Sequence, residues 1–210
     1  MLMKILDITK RIAPGIFKKL FKKTFFKPSF LGIKYICPVC KTSLAYFNCL
    51  KEYYFLNLDK YQYIHSIFAM ETNNILNHSC PACGASDRDR LYALYFTNKF
   101  DSIDTSKKYK FIDFAPEPSL RKVMENYSFL EYRSADLFME SVDDRVDIID
   151  MHIYKDNSVD IFLCSHILEH VEDDRKAMRE LYRILKSGGF GIVMAPILLT
   201  LKEVYEDSCI

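Results

Sequence analysis

Phe111-Ile112-Asp113-Phe114-Ala115-Pro116-Glu117-Pro118-Ser119-Leu120 decides how this chain folds. Lys110 to Phe114 is a short apolar run that reads as a strand, Ala115-Pro116 breaks it, and Glu117 to Tyr127 reads as a helix. That strand-turn-helix unit then repeats. Phe129 to Arg133 reads as a second strand, Arg145 to Ile148 as a short third and Val159 to Cys164 as a fourth. Glu172 to Leu185 places Ala177, Leu181, Ile184 and Leu185 on one helical face and ends at Lys186-Ser187-Gly188-Gly189, a glycine stop. Phe190 to Ala195 follows as a fifth strand, closed by Pro196. Short apolar runs alternating with amphipathic helices predict an α/β fold, a doubly wound and mostly parallel sheet covered by helices.

The chain has 210 residues, half of them apolar, enough for one substantial core and a small appendage. Its net charge of +1 hides an asymmetry. Residues 1 to 34 hold nine basic residues against Asp7 alone. Their apolar positions Ile12, Ile16, Phe17 and Leu20 fit a basic amphipathic helix able to touch an anionic membrane surface. Lysines interrupt every apolar run there, which argues against a bilayer span and against a secretion signal. A cytoplasmic protein, peripheral on the inner membrane face through this segment, is the expectation. Three segments emerge: 1–34, basic; 35–90, a cysteine module; and 91–210, the α/β domain.

Seven cysteines in a chain without an export signal argue for metal or buried thiols over disulfides. Cys37-Pro38-Val39-Cys40 and Cys80-Pro81-Ala82-Cys83-Gly84 are two turns of one form, each able to offer two thiolates to a tetrahedral Zn²⁺. The intervening stretch is longer than in a simple zinc ribbon, so an inserted hairpin or helix must bring the pairs together. A redox pair or four buried thiols is the competing reading, and His65 or His78 is an alternative ligand. Cys49, Cys164 and Cys209 have no such partner in sequence. A four-thiolate zinc has no open position and serves folding.

An open parallel sheet binds its ligand at the carboxyl ends of the strands, where strand order reverses. The first turn, Asp113 to Ser119, therefore matters most. Asp136 follows the second strand, where a carboxylate accepts ribose hydroxyls, and Asp147 ends the third, where one accepts an adenine amino group.

The stretch Asp147 to Val171, containing Val159-Asp160-Ile161-Phe162-Leu163-Cys164-Ser165-His166-Ile167-Leu168-Glu169-His170, closely resembles the central block of class I S-adenosylmethionine-dependent methyltransferases. Arg179 to Phe190 resembles the helix-turn-strand that follows it. The resemblance covers about residues 108 to 200 and is closest to a bacterial subgroup with a Phe-Ala-Pro-Glu first turn and paired CxxC turns ahead of an Arg-rich helix, here Ser86 to Leu91.

The resemblance implies a Rossmann-like class I methyltransferase domain preceded by a zinc-ribbon-like module, with S-adenosyl-L-methionine and Zn²⁺ as cofactors. It implies that Asp113, Ala115, Pro116 and Glu117 line the methionine end and that Asp136 and Leu137 hold ribose and adenine. Asp147 and Ile148 would flank the adenine ring, and Cys164, Ser165 and His166 would pass beneath the methionine. Ala115, Glu117 and Ser119 stand where many members have glycine. His166 and His170, near Glu169, are candidate bases for an acceptor's proton, with a helix-start role as the other reading of His170. Arg88, Arg90 and Arg121 read equally well as solvated charges.

The acceptor is expected among surface glycans or lipid-linked intermediates. A zinc-ribbon nucleic-acid binder, or an inactive methyltransferase-like binding protein, is the alternative. Lys41, Lys51 and Lys60 are too sparse, and too mixed with Glu52, Asp59 and Glu71, to favour nucleic acid. Five strands where the family sheet has seven lead us to expect either that the native product continues past Ile210 or that this is a truncated or decayed reading frame with weak activity.

Overall fold

The computed structural model describes residues 29–71 and 73–203. The basic segment, apart from its last few residues, and Cys209 lie outside the described residues. The cysteine module is built from β1 (Leu31–Ile36), β2 (Ser43–Leu44) and α1 (Glu52–Lys60), with 3₁₀ turns at Ile67–Ala69 and Ile75–Asn77. It leads into α2 (Asp87–Phe100), then β3 (Tyr109–Phe114), α3 (Pro118–Glu125), β4 (Leu130–Asp136) and β5 (Asp144–Arg145). After these come β6 (Val159–Ser165), a 3₁₀ turn at Leu168–His170, α4 (Asp174–Ile184) and β7 (Leu185–Met194).

β3 to β7 form one sheet in the order β5-β4-β3-β6-β7, and every neighbouring pair is parallel. The chain starts in the middle, steps outward through β4 and β5, then crosses back to β6 on the other side of β3. The order reverses between β3 and β6, so their carboxyl ends diverge there and open a crevice. This is the doubly wound, Rossmann-like arrangement expected from the strand-helix alternation.

The two-residue period of the strands divides the core. Phe111, Ile161 and Leu163 face one side and pack against Tyr92, Ala93, Phe96 and Phe100 of α2 and Leu120 and Met124 of α3. Ile112, Phe114, Phe162 and Cys164 face the other and pack on Ala177, Leu181 and Ile184 of α4. Those three α4 positions recur at helical spacing, so one stripe covers the sheet. Burying a ring such as Phe96 or Phe111 contributes about 1.5–3 kcal/mol relative to leaving it in water. Gly191 on β7 lies under the Phe162 ring, where an added Cβ would come within 2.1 Å of it.

Several boundaries differ from the sequence expectation for local reasons. β5 has two residues instead of Arg145 to Ile148, because the chain turns at Asp147. The Asp147 carboxylate accepts from Ile149 N at 3.0 Å and its carbonyl from Asp150 N at 3.0 Å. Val146 and Ile148 then drop into the core. β7 begins five residues early, at Leu185. Lys186 to Gly189 bulge out between the pairs Val159↔Leu185 and Ile161↔Phe190, with Gly188 at φ +79 making the turn. α2 runs straight through positions 90 and 91, joining the cysteine module to the layer that covers the sheet.

After β7 the chain pairs back with the inserted part of the cysteine module. Glu71 N donates to Ile197 O at 3.0 Å and Leu199 N to Ala69 O at 3.0 Å. Among the described residues, no helix is long and apolar enough to cross a membrane.

Candidate cofactor cleft and cysteine cluster

The two cysteine turns have matching backbones. Lys41 N donates to Cys37 O at 2.8 Å and Gly84 N to Cys80 O at 2.9 Å, and Lys41 and Gly84 both take left-handed φ, +59 and +81. The insertion between them is pinned at its base by Asn48 and Ser79, which exchange backbone hydrogen bonds of 2.8 and 3.2 Å. The four Sγ atoms of Cys37, Cys40, Cys80 and Cys83 all lie within 4.8 Å of one another. Cys37 to Cys83 is 3.9 Å and Cys40 to Cys80 is 3.8 Å. A disulfide needs about 2.05 Å. Sulfurs about 2.3 Å from a tetrahedral zinc stand roughly 3.8 Å apart, which is the spacing seen. His65 and His78 are outside this group. Exposed Cys49 bonds the Leu76 carbonyl at 3.4 Å, and Cys164 is buried against α4.

Arg90 ties the cluster to α2. Its guanidinium donates to the carbonyls of His78 and Ala85, both at 3.1 Å, and to that of Asn77, and lies 4.0 Å from the Phe47 ring centroid. It is therefore no solvated charge: 8% exposed, it holds both sides of the second cysteine turn. α2 itself starts with a reciprocal cap. Ser86 Oγ accepts from Asp89 N at 3.2 Å, and Asp89 Oδ2 accepts from Ser86 N at 2.8 Å.

The crevice at the carboxyl ends of β3 and β6 is a cleft of about 170 Å³ lined by Asp113, Ala115, Glu117, Ser165 and His166, with Ser86, Arg88, Asp89 and Tyr92 of α2 and its cap. It shares Ser86, Arg88, Asp89 and Glu117 with a second cleft of about 320 Å³, which runs along Tyr54, His78, Cys83, Gly84 and Ser119 beside the cysteine cluster. Each of the two strands ends in a left-handed residue, Ala115 at φ +52 and His166 at φ +56. Ala115 thus keeps the backbone for which a glycine would be the usual residue. Both are tied to the sheet, Ala115 N to Ala135 O at 2.9 Å and His166 N to Met194 O at 2.8 Å.

Asp113 is buried at the floor, accepting from the Tyr132 hydroxyl at 2.8 Å. Burial pushes its carboxyl up to about 7, opposed by the Tyr132 hydrogen bond and reinforced by Asp89. Tyr92 reaches across the cleft, its hydroxyl 2.6 Å from Ser165 Oγ. Arg88 lines both clefts and makes no hydrogen bond or ion pair among the described residues. The sequence had singled out Arg88 only as a charge on an Arg-rich helix, and Tyr92 not at all. Their helical phase with the buried Asp89 and Phe96 was the available signal.

Other expected residues fall elsewhere. Pro116 is buried and does not line the cleft. Asp136, at the end of β4, uses Oδ1 to accept from Phe138 N and Met139 N, both at 2.7 Å, and so shapes the loop carrying exposed Leu137. Asp147 sits in the turn after β5, Ile148 is in the core, and Cys164 faces α4; none of them lines the cleft. His170 is exposed on its 3₁₀ turn, also outside the cleft lining. Arg121 is engaged on the surface, with Glu125 at 2.7 Å and Ser134 at 3.3 Å.

The strand order and the crevice at its reversal point define a doubly wound, Rossmann-like domain. Residues 140–193, from the approach to β5 through β7, match a family model described as a methyltransferase domain. No curated protein matches the chain in sequence. Solved structures with some likeness include DszA carbon methyltransferase, 13% identical over 50% of this chain and 33% of that one, with a TM-score of 0.39. A SAM-dependent methyltransferase from Archaeoglobus fulgidus is 15% identical over 68% and 57%, at 0.39. The YcgJ protein of Bacillus subtilis is 19% identical over 47% and 48%, at 0.37. The chain spans between one third and three fifths of the length of these three.

Proposed function

We propose that the chain is an S-adenosyl-L-methionine-dependent methyltransferase with a structural zinc held by Cys37, Cys40, Cys80 and Cys83. The observation that carries the reading is the meeting of Asp113, Ala115, Glu117, Ser165 and His166 in one cleft at the β3/β6 switch point. The donor set fits the cofactor's methionine end, which is an ammonium, a carboxylate and a sulfonium. Asp113 and Glu117 supply negative charge for the cationic groups, and unpaired Arg88 supplies a fork for the carboxylate. Asp136 Oδ2, which makes no hydrogen bond among the described residues, is the group we assign to the ribose, with Leu137 and Asp147 toward the adenine.

Bound S-adenosyl-L-methionine supplies an activated methyl group. The protein's part is to hold an acceptor in line with it and keep competing water out, which is worth several kcal/mol as positioning alone. Tyr92 and Ser165 close one wall, and the second cleft, with Tyr54, His78 and Ser119, is the approach for a polar acceptor such as a glycan hydroxyl. Cys37, Cys40, Cys80 and Cys83 would hold the zinc through four thiolates, a set that would serve folding and leave no position for substrate.

Calorimetric titration of the zinc-loaded chain with S-adenosyl-L-methionine tests this. We expect saturable one-to-one binding that weakens at least tenfold in Arg88→Ala. No binding by folded protein overturns the proposal.

A further inference from the structure

We propose that Glu169 is a positioning residue for His166, holding the ring as the tautomer whose Nε2 carries the lone pair that takes a proton from the acceptor. This rests on the methyl-transfer reading above. The 3₁₀ turn Leu168–His170 folds Glu169 back toward the end of β6, so that Oε1 lies 3.0 Å from His166 Nδ1. A carboxylate only accepts hydrogen bonds, so the hydrogen between them belongs to Nδ1. In the neutral ring the lone pair is then on Nε2.

Nε2 is buried and has no hydrogen-bond partner among the described residues. A proton there would leave a buried donor unsatisfied, whereas a lone pair is ready for an acceptor hydroxyl arriving in the cleft that His166 lines. The ring is held in place by a backbone at φ +56, an unusual value for a non-glycine residue, and by the bond from His166 N to Met194 O. Such a conformation clusters at functional sites. The charged groups around the ring are Arg88 from α2, Glu169 and His170 from its own turn, and Asp89, Asp113 and Glu117 across the cleft. Burial first and Arg88 next hold the imidazole below its ordinary range, against the pull of Glu169, so the ring is a neutral base at neutral pH.

The step balances. As the acceptor oxygen bonds the methyl carbon, the carbon–sulfur bond breaks with its pair retained on sulfur, which becomes a neutral thioether. The hydroxyl proton passes to Nε2, giving an imidazolium paired with Glu169, and then leaves to solvent. The acceptor is therefore a group that gives up a proton on methylation.

Long-range ¹H–¹⁵N NMR of ¹⁵N-histidine-labelled protein tests the assignment, with the His166 signals identified by their loss in His166→Gln among five histidines. We expect Nδ1 protonated and Nε2 bare in the wild type. In Glu169→Ala the population moves toward the Nε2-protonated form and the titration midpoint falls, since an anion favouring imidazolium is gone; Glu169→Asp restores part of both. Wild-type protein protonated on Nε2, or a tautomer and midpoint unmoved in Glu169→Ala, overturns the proposal. Should Glu169→Ala fail to fold, the wild-type spectrum and Glu169→Asp decide it. S-adenosyl-L-methionine affinity, measured calorimetrically, should stay within about twofold in Glu169→Ala because Glu169 acts through His166. Absence of that binding in the wild type sinks the methyltransferase reading and leaves the tautomer result standing.

Discussion

Replacing Asp113 with Asn isolates the carboxyl buried beneath the Tyr132 hydroxyl at the end of β3. In the folded chain this group titrates at about 7, against 3.8 for the free side chain. The unfolded chain therefore loses the proton first as pH rises. Between about pH 4 and pH 7 the folded state binds more protons, so stability falls with rising pH, by up to 1.36 kcal/mol per pH unit. Across three units the group destabilises the fold by about 4 kcal/mol once both states are ionised. Asn keeps an oxygen for the Tyr132 hydroxyl and cannot ionise. Urea unfolding of both proteins from pH 4 to pH 8.5 should show Asp113→Asn gaining on the wild type steadily, with the gain complete just above pH 7. Effects common to both chains, such as loss of zinc in acid, cancel in the difference. A stability difference that stays constant over this range would refute the account of Asp113. Cationic ligand in the cleft should also pull the Asp113 titration down, so that S-adenosyl-L-methionine binding near pH 6 releases a proton in the wild type and not in Asp113→Asn.

The remaining predictions concern the backbone of the first turn and the cysteine cluster. Ala115 sits at φ +52, where a side chain is strained and glycine is not, so Ala115→Gly should stabilise the chain by about 0.5–1 kcal/mol after the entropy of the freer unfolded state is counted; a lower thermal midpoint would contradict this. Purified protein should carry about one zinc per chain by elemental analysis. Chelation, or Cys80→Ser, should unfold the cysteine module and loosen Arg90 and α2 with it, measured by hydrogen exchange, since the chain has no tryptophan to report by fluorescence. Retained protection around Asn48, Ser79 and Arg90 in metal-free protein would show that the thiols are packing groups alone.

Much of the fold was legible because strands and helices announce themselves by local period. Phe111, Ile112 and Phe114 alternate between two cores as a strand must, and Ala177, Leu181 and Ile184 stack on one helical face. The four cysteines were legible for a similar reason, since each turn is short enough to set two sulfurs by its own geometry. Asp113, Ala115, Glu117, Ser165 and His166 could be placed because the turns after β3 and β6 are tied to the sheet's reversal point.

What the sequence by itself determined is therefore the order of strands and helices, the two cysteine turns and the strand ends that line the cleft. Only the tertiary structure decided what meets those ends. Arg90 is a buried clamp because carbonyls at positions 77, 78 and 85 converge on it, while Arg88, two residues earlier on the same helix, opens into both clefts. Asp136 spends one oxygen on its own loop, and Ile148 belongs to the core after the chain turns at Asp147. His166 gains its character from Glu169 folding back on a 3₁₀ turn and from a burial that leaves Nε2 without a partner. Each of these depends on groups brought together from separate elements, and a local pattern carries no record of which charge will be desolvated or which nitrogen left bare.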